Sequence, residues 1–186
     1  MRGKIFSADL NGAQKAFQAL PWIDKAQVRR RLPDVVEIHL TEREPVARWK
    51  AAGLVDANGN IFQAATTETF PEFDGQPGTA KTMVAHYQEF SGLLKPAGLS
   101  IAKLEYTPRS AWSVVLDNGI TVRLGREHEN ARLQQFAAVW PGILRAQQSG
   151  LAYVDMRYKD GFAVRERAPS EMPSETAASA ADHNQQ

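Results

Sequence analysis

Two of the three Asn-Gly dipeptides, Asn58-Gly59 and Asn118-Gly119, constrain this chain more than any other feature. Both residue types tolerate positive φ, and between short apolar runs the pair is a strong signal for a tight turn joining antiparallel strands. Leu54-Val55 and Ile61-Phe62 bracket the first turn. Ala111 to Leu116 and Ile120 to Leu124 bracket the second, and Leu99 to Tyr106 precedes them, which predicts a three-stranded antiparallel meander. The middle of the chain is therefore β structure closed by local turns.

The remaining segments alternate between two periods. Leu10, Ala13, Phe17 and Leu20 form a 3.6-residue stripe that Asp9 or Asn11 can cap and Pro21 ends. From Trp22 the period is two: Ala26 and Val28 oppose Lys25, Gln27, Arg29 and Arg31, and after the Leu32-Pro33-Asp34 turn Val36, Ile38 and Leu40 alternate with Glu37, His39 and Thr41. Phe70 to Gly78 reads as a linker punctuated by Pro and Gly. Met83, Val84, Tyr87, Phe90 and Leu94 predict an amphipathic helix over 79–95, and Leu133, Phe136, Ala137 and Trp140 a second over 127–147 that Pro141 kinks. Leu151 to Arg157, a turn at Lys159-Asp160-Gly161, and Phe162 to Arg165 give a last hairpin, and beyond Ala168 the composition is that of a disordered tail.

The inventory of reactive groups is poor. With 22 Lys plus Arg against 21 Asp plus Glu, the formal charge of +1 argues against phosphate-driven nucleic-acid binding. The absence of cysteine removes thiolate nucleophiles, disulfides, cysteine zinc sites and iron–sulfur clusters. His39, His86, His128 and His183 lack second ligands at metal spacing, and no Gly-x-Ser-x-Gly motif is present. Arg29-Arg30-Arg31 sends its side chains to opposite strand faces and reads as a solvated edge. Gly125-Arg126, between a strand and a helix, could hold an anion but fits a plain turn better. No run reaches the roughly 18 apolar residues of a membrane span. These counts disfavour an enzyme and point to no metal and no cofactor. The last strand, with Phe162 and Val164, leaves two readings open: an edge guarded by Arg165 to Arg167 and the tail, or a site where a partner adds a strand.

Two stretches carry a family resemblance. The first is Leu20-Pro21-Trp22-Ile23 with Ala26, Val28 and Leu32-Pro33-Asp34, continued by Val36 to Trp49 and Leu54 to Phe62. The second is Tyr153 to Tyr158 with Gly161 and Ala163-Val164, and Arg109 with Trp112 matches as well. Over about residues 5 to 169 the chain resembles the periplasmic part of the FtsQ/DivIB family of bacterial division proteins. The resemblance implies an α+β fold: a partial POTRA domain over 1–45 without its first strand and helix, then a β domain of antiparallel strands flanked by helices over 46–167, with 168–186 as tail. Met1 then reads as a truncated or mis-assigned start.

The resemblance further implies a non-enzymatic scaffold of the division machinery that recruits FtsB and FtsL by strand addition at its C-terminal sheet edge. Other division proteins would meet the POTRA region, and nucleic acid would play no part. Localisation would be the inner membrane, through a single transmembrane helix absent from this chain, with the folded part in the periplasm. The implied partner-binding residues are Arg109, Trp112, Arg157, Tyr158, Lys159, Asp160, Gly161, Phe162, Ala163 and Val164. Arg109 is the basic position expected to meet a partner carboxylate. The alternative is a POTRA-type periplasmic chaperone or secretion module.

Overall fold

The computed structural model describes residues 9–33, 35–50, 52–159 and 161–167; the predicted tail and Asp160 lie outside the described residues. Asp9 opens helix α1 (Leu10–Gln18), its carboxylate accepting from the Gly12 amide at 2.8 Å. Strands β1 (Ile23–Arg31) and β2 (Val35–Glu42) pair antiparallel in a separate two-stranded sheet, with Val28 opposite Ile38 and Gln27 opposite His39. Helix α1 packs on β1, so Ala26 is buried while Ile38 and Leu40 on the same face of β2 stay exposed.

The second sheet has nine strands: β3 (Pro45–Trp49), β4 (Leu54–Asp56), β5 (Ile61–Phe62), β6 (Glu72–Asp74), β7 (Ile101–Tyr106), β8 (Trp112–Leu116), β9 (Thr121–Gly125), β10 (Leu151–Asp155) and β11 (Ala163–Glu166). Their order is β11-β10-β9-β8-β7-β6-β3-β4-β5, so β11 and β5 are the two edges. Both Asn-Gly turns close antiparallel pairs, β4–β5 and β8–β9, and β7 to β9 form the predicted meander.

The architecture is α+β, with two departures from expectation. Phe70 to Gly78 is more than a linker: it holds β6, which pairs parallel to β3 on one side and to β7 on the other. The sheet is accordingly mixed, β10 also running parallel to β9. Parallel neighbours need crossover connections. Helix α2 (Ala80–Leu94) connects β6 to β7, and α3 (Glu129–Val139) connects β9 to β10. The two helices touch each other and cover one face of the sheet. Pro141 acts as predicted, the α-helix giving way to a wider turn over Trp140–Leu144 and a tighter one over Arg145–Gln147.

One row of side chains runs across the covered face. Following the register, Trp49, Phe73, Leu104, Val114, Val122, Val154 and Val164 stand side by side on successive strands. All but the last are buried, and Phe73, Leu104, Val114, Val122 and Val154 have no accessible surface. On the opposite face Lys103 bridges Glu72, Asp74 and Glu105, the period-two polar complement of that row. The row stops at Val164, which is 45% exposed because no strand lies beyond it.

Candidate functional site

The open edge and an arginine-lined hollow occupy the same end of the sheet. Asp155, the last residue of β10, is buried, and Arg157 two residues on folds back to it with Nε donating to Oδ1 at 2.8 Å and Nη2 to Oδ2 at 2.6 Å. The Arg157 amide donates to the same carboxylate at 3.1 Å. Hydrogen bonds from the Arg157 side chain hold the Asp155 carboxyl below its ordinary range, overcoming the opposing push of burial, and Asp155 in turn raises Arg157. This clamp ends β10 at Asp155 rather than at Arg157, and turns the chain outward so that Tyr158 stands 60% exposed.

Arg157 also lines a cavity of about 480 Å³ with Arg109, Ala111, Gly125, Arg126, Glu127 and Arg132. Arg109 sits in a turn secured by the Thr107 amide bonding the Ala111 carbonyl at 3.0 Å and the Ala111 amide bonding Thr107 Oγ1 at 3.1 Å. Arg132, in the first turns of α3, donates Nη1 to the Leu124 carbonyl. Gly125 has φ +82°, and a Cβ there would stand 3.0 Å from Arg132 Nη1 and 3.2 Å from Arg157 Cγ. The left-handed backbone favours glycine here, and any larger residue would also have to push the two arginine side chains back by a few tenths of an ångström. Four guanidinium groups against Glu127 and the clamped Asp155 leave the hollow positive, suited to carboxylates.

The sequence-derived residues divide into two groups. Arg109, Arg157, Tyr158, Lys159 and Val164 are exposed at this end, and Gly161, Phe162 and Ala163 are half-buried beside them. Phe162 packs against the core just before β11, which therefore begins one residue later than predicted. Trp112 does not lie on this surface. Its ring is 4% exposed, stacked on His86 at 4.3 Å, tilted against Tyr106 at 4.3 Å and edge-on to Phe90 at 5.8 Å, so its faces are already occupied. Arg126 and Arg132 were missed. The signal was Gly125-Arg126, set aside as a plain turn, and only the fold brings Arg109 and Arg157 to it.

Among the described residues no group of three or more His, Asp or Glu could hold a metal ion, and no helix is long and apolar enough to cross a membrane. The depressed carboxyls have a measurable consequence. For Asp56, burial pushes upward but hydrogen bonds from Asn60 and Asn58 and the Arg43 charge leave it lowered, as Arg157 does for Asp155. Groups of this kind stabilise the fold above their unfolded value of 3.8 and lose that contribution as pH falls through the lower folded value. The urea midpoint is expected to fall between about pH 5 and pH 2. Asp155→Asn should lower the midpoint at neutral pH and make this acid loss shallower.

An N-terminal unit of α1, β1 and β2 precedes a mixed nine-stranded sheet that carries this positive hollow beside an open strand edge. Comparison with known proteins gives the family of this arrangement. The family described as "Cell division protein FtsQ/DivIB, C-terminal" matches residues 47–157, and "POTRA domain, FtsQ-type" matches residues 1–43. The chain is 53% identical over 174 residues to cell division protein FtsQ of Neisseria gonorrhoeae, covering 93% of this chain and 72% of that protein. It is 54% identical over 166 residues to FtsQ of Neisseria meningitidis serogroup B, covering 89% and 71%. To FtsQ of Burkholderia pseudomallei it is 36% identical over 172 residues, covering 89% and 69%. The chain belongs to the FtsQ/DivIB family of cell division proteins.

Proposed function

We propose that this chain is a non-enzymatic scaffold that recruits FtsB, and with it FtsL, by accepting a partner strand along β11. The observation that carries the reading is the apolar row ending at exposed Val164. A strand added antiparallel or parallel to β11 extends that row by one residue, gains main-chain hydrogen bonds and buries the remaining surface of Val164, for at most about 1.5 kcal/mol. Tyr158 supplies an exposed aromatic anchor at the start of the edge, and the hollow of Arg109, Arg126, Arg132 and Arg157 receives acidic side chains of the partner. Lys159 and Gly161 form the approach, while Trp112 supports the site from beneath. The folded region works in the periplasm, tied to the inner membrane by a helix outside this chain, with other division proteins at the POTRA region.

Calorimetry with the periplasmic segment of FtsB tests this. Arg109→Glu should weaken binding by about 1–3 kcal/mol, an effect that shrinks as salt rises because Arg109 is exposed. His39→Ala, on the distant hairpin, should leave the affinity unchanged. Equal affinities for the parent and Arg109→Glu would remove the hollow from the binding site.

A further inference from the structure

The hairpin β1–β2 and the nine-stranded sheet are joined by only Arg43 and Glu44, between the end of β2 and the start of β3. A link this short restricts translation but leaves the hairpin free to swing unless side chains oppose it. Arg43 opposes it from several directions. Its amide donates to the Trp22 carbonyl at 2.7 Å, and its Nε to the Ile23 carbonyl at 3.3 Å, tying it to the start of β1. Its Nη1 donates to Asp56 Oδ2 at 3.2 Å, across to the end of β4. Its guanidinium lies 5.5 Å from the centre of the Phe62 ring on β5. Trp22 meets the same ring edge-on at 5.7 Å.

The acceptor is held independently of Arg43. Asp56 is buried, and its Oδ1 accepts the amides of Asn58 and Asn60 at 2.9 Å each while Oδ2 accepts Asn60 Nδ2 at 2.9 Å. The Asn-Gly turn thus presents a fixed, largely desolvated carboxylate, the setting in which a charge-assisted hydrogen bond is strongest. A flexible surface pair would restrict nothing; this pair has a rigid side and an aromatic floor.

We propose that Arg43 is the pin of a rigid joint that makes the N-terminal hairpin and the nine-stranded sheet move as one body. The hairpin surfaces and the β11 edge are then held at a constant separation, and Phe62 at the opposite sheet edge is kept covered. The proposal does not depend on which partner binds β11.

The chain has no cysteine, so Gln27→Cys on β1 and Gln88→Cys on α2 place two spin labels uniquely on exposed positions. Pulsed electron resonance on this labelled chain should give one narrow distance distribution. Arg43→Gln should broaden it by about twofold or more, as expected when a single populated arrangement gives way to several. Arg43→Lys, which keeps the charge but not the fork, should fall between, and Trp22→Ala should broaden it through loss of the ring contact. Lys50→Ala, which breaks the Lys50–Asp74 pair inside the sheet, should not change it. If Arg43→Gln unfolds the hairpin, seen as lost amide protection in β1 and β2, the decision passes to Arg43→Lys. A broad distribution in the parent, or an unchanged width in every folded Arg43 variant, overturns the proposal.

Discussion

Replacing Trp112 by alanine is expected to destabilise the fold by about 3–5 kcal/mol. That is a large share of the roughly 5–15 kcal/mol that holds a domain together. The indole fills the space between β8, α2 and β7, with His86, Phe90 and Tyr106 on its faces and edge, and all of those contacts disappear together. His86 is fixed from the other side by its Nδ1 on the Thr82 carbonyl at 3.0 Å and its Nε2 near Glu129 at 3.4 Å, so it cannot follow the void. Urea unfolding followed by fluorescence and circular dichroism measures the loss. Trp112→Phe, which keeps an aromatic plane against His86, should lose less than half as much and bind the FtsB segment as the parent does. A stable Trp112→Ala with impaired binding would instead put the indole in direct contact with the partner.

Tyr158→Ala should weaken FtsB binding by about 2 kcal/mol or more while leaving the fold intact. The two halves of that expectation have different origins. The ring is 60% exposed and outside the core, so its removal leaves no internal cavity. In the proposed complex it is one of few large apolar groups at the edge, near the arginine hollow, and buried aromatic side chains are frequent affinity hot spots. Calorimetry against the same segment reads the change, and Val164→Ser should add a smaller loss by ending the apolar row early. Unaltered affinity in both variants would place the contact elsewhere.

Local chemistry explains which parts of this fold were legible. The Asn58-Gly59 and Asn118-Gly119 turns, the alternation of β1 and β2, and the break at Pro141 are all properties of short segments, and each appears where the residues put it. β6 was not legible, because Glu72-Phe73-Asp74 has a single apolar residue between Pro71 and Gly75, and its strand character comes from parallel neighbours far away in sequence. The candidate site shows the same division. Val164 could be read from an apolar last strand, whereas Tyr158 entered only through the family resemblance. Arg126 and Arg132 could not be tied to Arg109 and Arg157 until β8, β9, β10 and α3 were packed, since a cavity lined from separate elements has no local pattern. Trp112 illustrates the reverse: three residues after Arg109, it opens β8, whose buried positions alternate along the strand, and it faces the core while Arg109 stands in the exposed turn before it.

Strand addition at β11 is tested most directly by amide hydrogen exchange of the folded chain with and without saturating FtsB segment. An edge strand exchanges quickly on the side that has no neighbour, and an added strand closes that side. The account predicts slowed exchange over Val164 to Glu166, weaker slowing around Tyr158, and no change in β1 and β2. Protection that leaves β11 unchanged and appears on β2 or β5 instead would contradict it.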